Sequence, residues 1–211
     1  FAAIARIGTS PNALVINNNV PARSVKEFIA FAHQKPKQIN FGAAGVGTST
    51  HLASELFKLM ANIDGVIVQY RGGGPAVMAV IGGESQALFG TLVQNLPHVR
   101  AGSLRVLGIG DHQRSKSLPE FPTISEAGVP GFQTLQWSGV YAPAATPKAI
   151  IGRLNREIDA IVKDPIFMKQ MIEVGFDPVS GPNTPEAWAT LVEGEVTKWS
   201  AIVKQAGLKT E

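Results

Sequence analysis

Along residues 13–110, short apolar segments alternate with stretches of helical periodicity, and glycines mark most of the joins. No other feature narrows the fold as much, because a strand that returns parallel to its predecessor needs a long crossover, usually a helix. The spacing predicts strands over Ala13 to Ile16, Ile39 to Gly42, Val66 to Tyr70, Gln86 to Thr91 and Leu104 to Gly110. Ser24 with Glu27 forms a capping box, opening a helix that turns Val25, Phe28, Ile29 and Ala32 inward. Pro75 reads as a first helical residue after Arg71-Gly72-Gly73-Gly74, with the helix ending at Gly82, and Asn95 to Ala101 as a short helix closed by Gly102. The expectation is an α/β fold in which helices cover both faces of a parallel sheet, with any ligand at the carboxyl ends of the strands.

The stretch from Asn40 to Met60, N-F-G-A-A-G-V-G-T-S-T-H-L-A-S-E-L-F-K-L-M, carries the clearest chemistry. Gly42, Gly45 and Gly47 permit a tight turn close to a bound group, while Thr48, Ser49 and Thr50 offer hydroxyls and helix caps. Leu52, Leu56, Phe57 and Met60 recur at helical spacing, which puts the first helical turn near Ser49 to His51. Its free N–H groups and the positive end of the helix dipole would make an anion site. A P-loop would need lysine where this chain has Thr48, and a dinucleotide fingerprint starting at Gly45 would need glycine at Thr50. A small carboxylate fits better than a polyphosphate. The same residues also describe an ordinary capped strand-to-helix turn.

Beyond Asp111 the pattern changes. Residues 112–130 are polar and proline-marked, with a second capping box at Thr123 and Glu126 and a stop at Gly128; Phe132 to Pro143 reads as extended and aromatic-rich. Helices are then expected from Thr146-Pro147, from Asp164-Pro165 with a stop at Gly175, and from Thr184-Pro185. The first carries Ile150, Ile151, Leu154, Ile158, Ile161 and Val162 on one face; the last buries Trp188, Leu191, Val192, Val196, Trp199, Ile202 and Val203. Two lobes joined near Ala13 and again near Trp137 to Pro143 account for the shift. The net charge of +3 comes from dispersed basic residues, without the clustered stripe of a nucleic-acid binder. Cysteine is absent, so neither disulfides nor thiol catalysis arise, and no apolar run reaches transmembrane length. His33, His51, His98 and His112 lack metal-ligand spacing, and no cofactor motif is present.

Five motifs follow one another in order: F-G-A-A-G-V-G-T-S-T-H-L-A-S-E-L-F, V-Q-Y-R-G-G-G-P-A, L-P-H-V-R-A-G-S-L-R-V-L-G-I, L-P-E-F-P-T-I-S-E-A-G-V-P-G-F and W-S-G-V-Y-A-P-A-A-T-P. Together they resemble the Bug, or TctC-like, family of periplasmic solute-binding proteins of tripartite tricarboxylate transporters, and the likeness runs over essentially the whole chain. The resemblance implies a two-lobed periplasmic-binding-protein (Venus flytrap) architecture, type II-like and present here as a fragment. Residues 1–16 would be a hinge-crossing strand, 17–136 the second α/β lobe, 137–145 the return hinge strand, and 146–211 the C-terminal helical part of the first lobe. It implies a monomeric periplasmic receptor, not an enzyme, that captures a small carboxylate and delivers it to membrane transporter subunits. Gly47, Thr48, Ser49, Thr50 and His51 would supply the second lobe's part of the anion site. The chain opens at Phe1 in a segment already strand-like, which fits a processed or truncated product.

One departure bears on the ligand. Many family members carry an aspartate in a pattern like M-F-D-N, where this chain has Leu88-Phe89-Gly90-Thr91. Gly90 removes that anion and leaves Thr91 as a neutral hydrogen-bonding group, which favours a plain organic or aromatic acid over an amino acid. His51 reads either as a donor to the carboxylate or as a local turn residue, and Trp137 as a cleft or a packing residue. Arg71 reads either as a bidentate contact to an anion or as part of a tight turn with its charge in solvent, and Trp188 with Trp199 as core. Ser49 and His51 stand two apart on a helix and point in different directions, so they make no nucleophile–base pair. Two other classes of function are left open. One is the ligand-sensing domain of a regulatory system, which a salt-dependent DNA-shift assay would reveal. The other is an enzyme, which would need an acid, base or nucleophile set that the glycine, serine and threonine loops hardly offer and which turnover would reveal.

Overall fold

One strand, β1 (Ala2–Asn17), takes part in every joint of the sheet system except those of β2. The computed structural model describes residues 1–115, 118–205 and 207, so the end of the expected 146–211 segment and part of the polar stretch after Asp111 lie outside the described residues. The second half of β1 pairs antiparallel with β4 (Ala87–Thr91) and with β5 (Leu104–Ile109), Leu14 lying opposite Phe89 and Gly108. Its first half pairs antiparallel with β6 (Leu135–Ala142) and briefly with β7 (Asp177–Pro178). β2 (Asn40–Ala43) is parallel to both β3 (Val66–Gln69) and β4, giving the order β3-β2-β4-β1-β5.

The expected parallel sheet is therefore mixed. β2 to β5 run one way, joined by helical crossovers, and β1 runs against them because it enters from its ladder with β6 instead of through a crossover. The reversal brings Asn12 of β1 opposite Thr91, at the end of the sheet where β2, β4 and β5 finish.

Side chains alternate across β1, and the two faces make two cores. Leu14 and Ile16 join Phe41 and Phe89 beneath α1 (Val25–His33) and α2 (Ser49–Met60), where Phe28, Phe57 and Phe132 complete a phenylalanine cluster with ring centroids as near as 5.5 Å. Each such ring, moved out of water, contributes roughly 1.5–3 kcal/mol. Ala13 and Val15 face α3 (Gly73–Gly82) and α4 (Leu92–Arg100) through Val77, Val80, Leu92 and Leu96. α3 starts earlier than the sequence suggests, capped by Gly72, so Pro75 is its third residue. α4 also starts earlier, because the Thr91 hydroxyl accepts from the Gln94 amide and caps it. The Thr123–Glu126 box forms reciprocally, at 3.0 and 2.9 Å, yet opens only a turn that Gly128 ends.

The remaining helices pack around the first half of β1. They are α5 (Lys148–Lys163), α6 (Pro165–Glu173) and α7 (Pro185–Gln205). Asn183 behaves as a substitute strand: its side-chain amide accepts from the Arg6 N–H at 2.8 Å and donates to the Arg6 carbonyl at 3.0 Å. Trp188 is buried directly on β6 at Gly139, where a Cβ would stand 2.4 Å from the indole. The apolar stripes of α5 and α7 are less covered than expected. Ile150, Leu154, Ile161 and Val196 are exposed, since α5 meets β1 mainly through Ile151 and Ile158 and the stripe is wider than that contact.

Candidate functional site

β2 ends at Ala43, and the chain turns through Ala44 to Gly47 into α2. A chain of hydrogen bonds holds the turn. The Ala44 amide donates to Thr50 Oγ1 at 2.9 Å, and Thr48 Oγ1 donates to the Gly45 carbonyl at 2.7 Å. Since the Thr48 proton is thus committed, the 3.0 Å contact between the two hydroxyls runs from Thr50 to Thr48. Such a chain polarises itself and stiffens the turn. Thr48 also caps the helix by accepting from the His51 amide, and Gly47 adopts φ +74°, which a side chain would strain. Leu52 N–H bonds to the Thr48 carbonyl. That leaves the amides of Ser49 and Thr50 at the start of α2 without an intrahelical acceptor, at the positive end of the helix dipole.

His51 is buried and turned inward. Its Nδ1 accepts from the Gly47 amide at 3.0 Å, which requires the neutral ring with its proton on Nε2, and Nε2 lies 3.8 Å from Glu55 Oε1. Burial pushes its pKa down, Glu55 opposes that shift and Lys58 reinforces it. The ring thus secures the glycine turn from behind. Ser49 points the other way, and its hydroxyl donates to Gln136 Oε1 on β6 at 3.1 Å.

Around that Ser49–Gln136 bond lies a cavity of about 370 Å³, lined by Gly47, Ser49, Leu52, Gln136, Trp137 and Trp199. Of the residues singled out from the sequence, Gly47, Ser49 and Trp137 line it, while Thr48, Thr50 and His51 build the turn behind its wall. Gly90 and Thr91 stand apart from the lining. Gly90 is buried where a Cβ would meet the Asn95 amide nitrogen at 2.5 Å, and Thr91 is the α4 cap. Trp199, expected in the core, is half-buried: it packs against the phenylalanine core and also lines this cavity. A smaller hollow of about 130 Å³ lies by Arg6, Asp111 and Asp177. There Arg6 donates to the Ser180 carbonyl, and Asp111 accepts from the backbone and ring of His112.

The sequence profile described as "Tripartite tricarboxylate transporter family receptor", TctC, matches residues 1–208. The chain belongs to the TctC family. Its TctC relatives include BugT of Bordetella pertussis, 31 % identical over 98 % of this chain. Among solved structures, R. palustris Rpa4515 with adipate superposes with a TM-score of 0.92 at 32 % identity, covering 98 % of this chain and 69 % of that one. MatC of Rhodopseudomonas palustris with bound malate superposes at 0.87 and 26 % identity, covering 96 % and 69 %. The chain spans 60 % and 63 % of the length of the first curated TctC relatives it matches. Its architecture is that of the periplasmic binding proteins, in a mixed α/β form.

Within this TctC chain, the sequence left Leu52, Gln136 and Trp199 unassigned to the cavity. Gln136 carries a weak signal, a polar residue in an apolar extended segment. Trp199 carries none, because its helical spacing matches that of core residues.

Proposed function

We propose that this TctC chain is part of a periplasmic receptor that captures a small carboxylate between two lobes and hands it to the membrane subunits of a tripartite transporter. In this reading residues 17–136 form one lobe, residues 1–16 and 137–145 cross between lobes, and residues 146–211 belong to the other, acting as a monomer without catalysis. One observation carries it: the start of α2 brings the Ser49 amide, which lacks an intrahelical acceptor, and the Ser49 hydroxyl, bonded to Gln136, to a cavity whose other wall is Gln136 and Trp137 of β6. An anion there meets donors and a helix dipole from one side and the crossing strand from the other. Binding then favours the closed arrangement, in which both sides touch the ligand, over the open one. Adipate in Rpa4515 and malate in MatC are ligands of the same chemical kind. The exposed apolar residues of α5, Ile150, Leu154 and Ile161, fit a first lobe to which further chain contributes, given the longer relatives.

Ser49→Pro tests the anion site. Ser49 is the first residue of α2, where proline is favoured, and Thr48 before it has φ −70° and ψ 161°, the extended conformation a following proline needs. The change deletes the Ser49 amide donor and hydroxyl while sparing the helix. Hydrogen bonds to a charged group contribute about 1.5–3 kcal/mol, so calorimetric titration of the full-length receptor with adipate should show affinity falling roughly ten- to a hundredfold. Unchanged affinity with an unchanged denaturation midpoint would remove the site from this helix end.

A further inference from the structure

Beyond the anion end, the cavity is apolar and aromatic. Leu52, Trp137 and Trp199 supply its body, and no charged side chain lines it among the described residues. Both indoles are held in place. The Trp199 Nε1–H donates to Glu195 Oε2 at 2.9 Å, and the Lys198 ammonium lies 5.2 Å from its ring centre on the same helix. Trp137 meets Trp188 edge to face, with centroids 4.9 Å apart and planes at 82°, and Trp188 is itself fixed on Gly139 and packed 5.6 Å from Tyr141. The rings are therefore oriented before any ligand arrives.

We infer that Trp137 and Trp199 form an aromatic clamp, and that the preferred ligand is a flat-ring monocarboxylate of the benzoate class. This rests on the carboxylate-receptor reading and narrows it. A compact dicarboxylate that placed one carboxylate at Ser49 would bring the other against indole and leucine, where no lining side chain among the described residues carries a positive charge to pair with it. A ring bearing one carboxylate separates the two demands. Its charge sits at the start of α2, and its faces and edges meet indoles arranged for stacking or edge contacts. Trp199 is then a specificity-determining residue.

The test compares benzoate, cyclohexanecarboxylate, adipate and malate on the full-length receptor, by tryptophan fluorescence and calorimetry, in the native protein and in Trp199→Leu and Trp137→Leu. Benzoate and cyclohexanecarboxylate share size and charge and differ in the π face. The native protein should bind benzoate more tightly than the other three and about two- to tenfold more tightly than its saturated analogue, with a change in indole emission. Each leucine variant should erase the preference between the two ring acids while keeping a normal melting temperature in at least one variant. Tighter binding of adipate or malate than of benzoate overturns the clamp and leaves the receptor reading standing. So does an unchanged ring preference in either correctly folded variant. Failure of all four acids to bind overturns both.

Discussion

Replacing Thr50 with valine isolates the hydrogen-bond chain of the glycine turn, because the two side chains have nearly the same shape and similar helix propensity. In the native turn Thr50 Oγ1 accepts from the Ala44 amide at 2.9 Å and passes its own proton to Thr48 at 3.0 Å, and Thr50 is only 9 % exposed. Valine leaves the amide without its acceptor in a place where water enters poorly, a loss of about 1–3 kcal/mol. Thr50→Ser keeps the hydroxyl and removes one methyl, a loss of about 0.8 kcal/mol. Urea unfolding should rank native protein, serine variant and valine variant in descending midpoint at constant slope. The valine variant should also bind carboxylate more weakly, since the turn that places Gly47 and Ser49 is no longer tied to β2. A valine variant as stable as the native protein, or a serine variant less stable than the valine one, would refute the hydrogen-bond chain.

Other perturbations probe the surrounding structure. His51 is held below its ordinary pKa, first by burial, so the unfolded chain takes up the proton more readily. Its contribution is intact above about pH 6.5 and is lost as pH falls from there through the lower folded-state value. The difference in denaturation midpoint between native protein and His51→Asn should therefore shrink as pH drops from 7 to 5, and parallel profiles would exclude this role. Gly90→Ala should cost about 1–3 kcal/mol through its contact with Asn95, and less in an Asn95→Ala background, measured as a double-mutant cycle. Ser24→Ala removes the α1 cap that accepts from the Glu27 amide at 3.2 Å and should cost about 1 kcal/mol in thermal unfolding.

What the sequence made legible is local. The turn from β2 into α2 follows from glycines, hydroxyls and apolar spacing within some twenty residues, and the α1 and α6 caps at Ser24 and Asp164 follow from single residues. The direction of β1 was not legible, because it depends on pairing Ala2 with Ala142 and Pro11 with Leu135, partners that no local pattern announces. The early start of α4 was hidden because Thr91 serves as both strand end and cap. His51 shows how a site residue changes meaning. Its type suggests a donor to ligand, while the backbone at Gly47 makes it an acceptor. Trp199 has the spacing of a core residue and does pack against the core, and only the approach of α7 to α2 also brings it to the cavity.

The long-range joints of β1 also set an order of events for the newly made chain. The amide of Arg6 waits for Asn183, 177 residues later, and Ile4 waits for Asn155, 151 residues later, whereas β2 and β4 sit close together in sequence. Loop closure over such spans is entropically costly until the intervening chain has compacted. Residues 12–134 should therefore acquire protected amides first, and the ladder between Ala2 and Ala142 should close last, sealed by the Asn183 carboxamide. Pulse-labelled hydrogen exchange would see this as late protection at Ala5 and Arg6. The same joint then makes β1 sensitive to a small change far along the chain: loss of Asn183 would leave the Arg6 N–H without its acceptor.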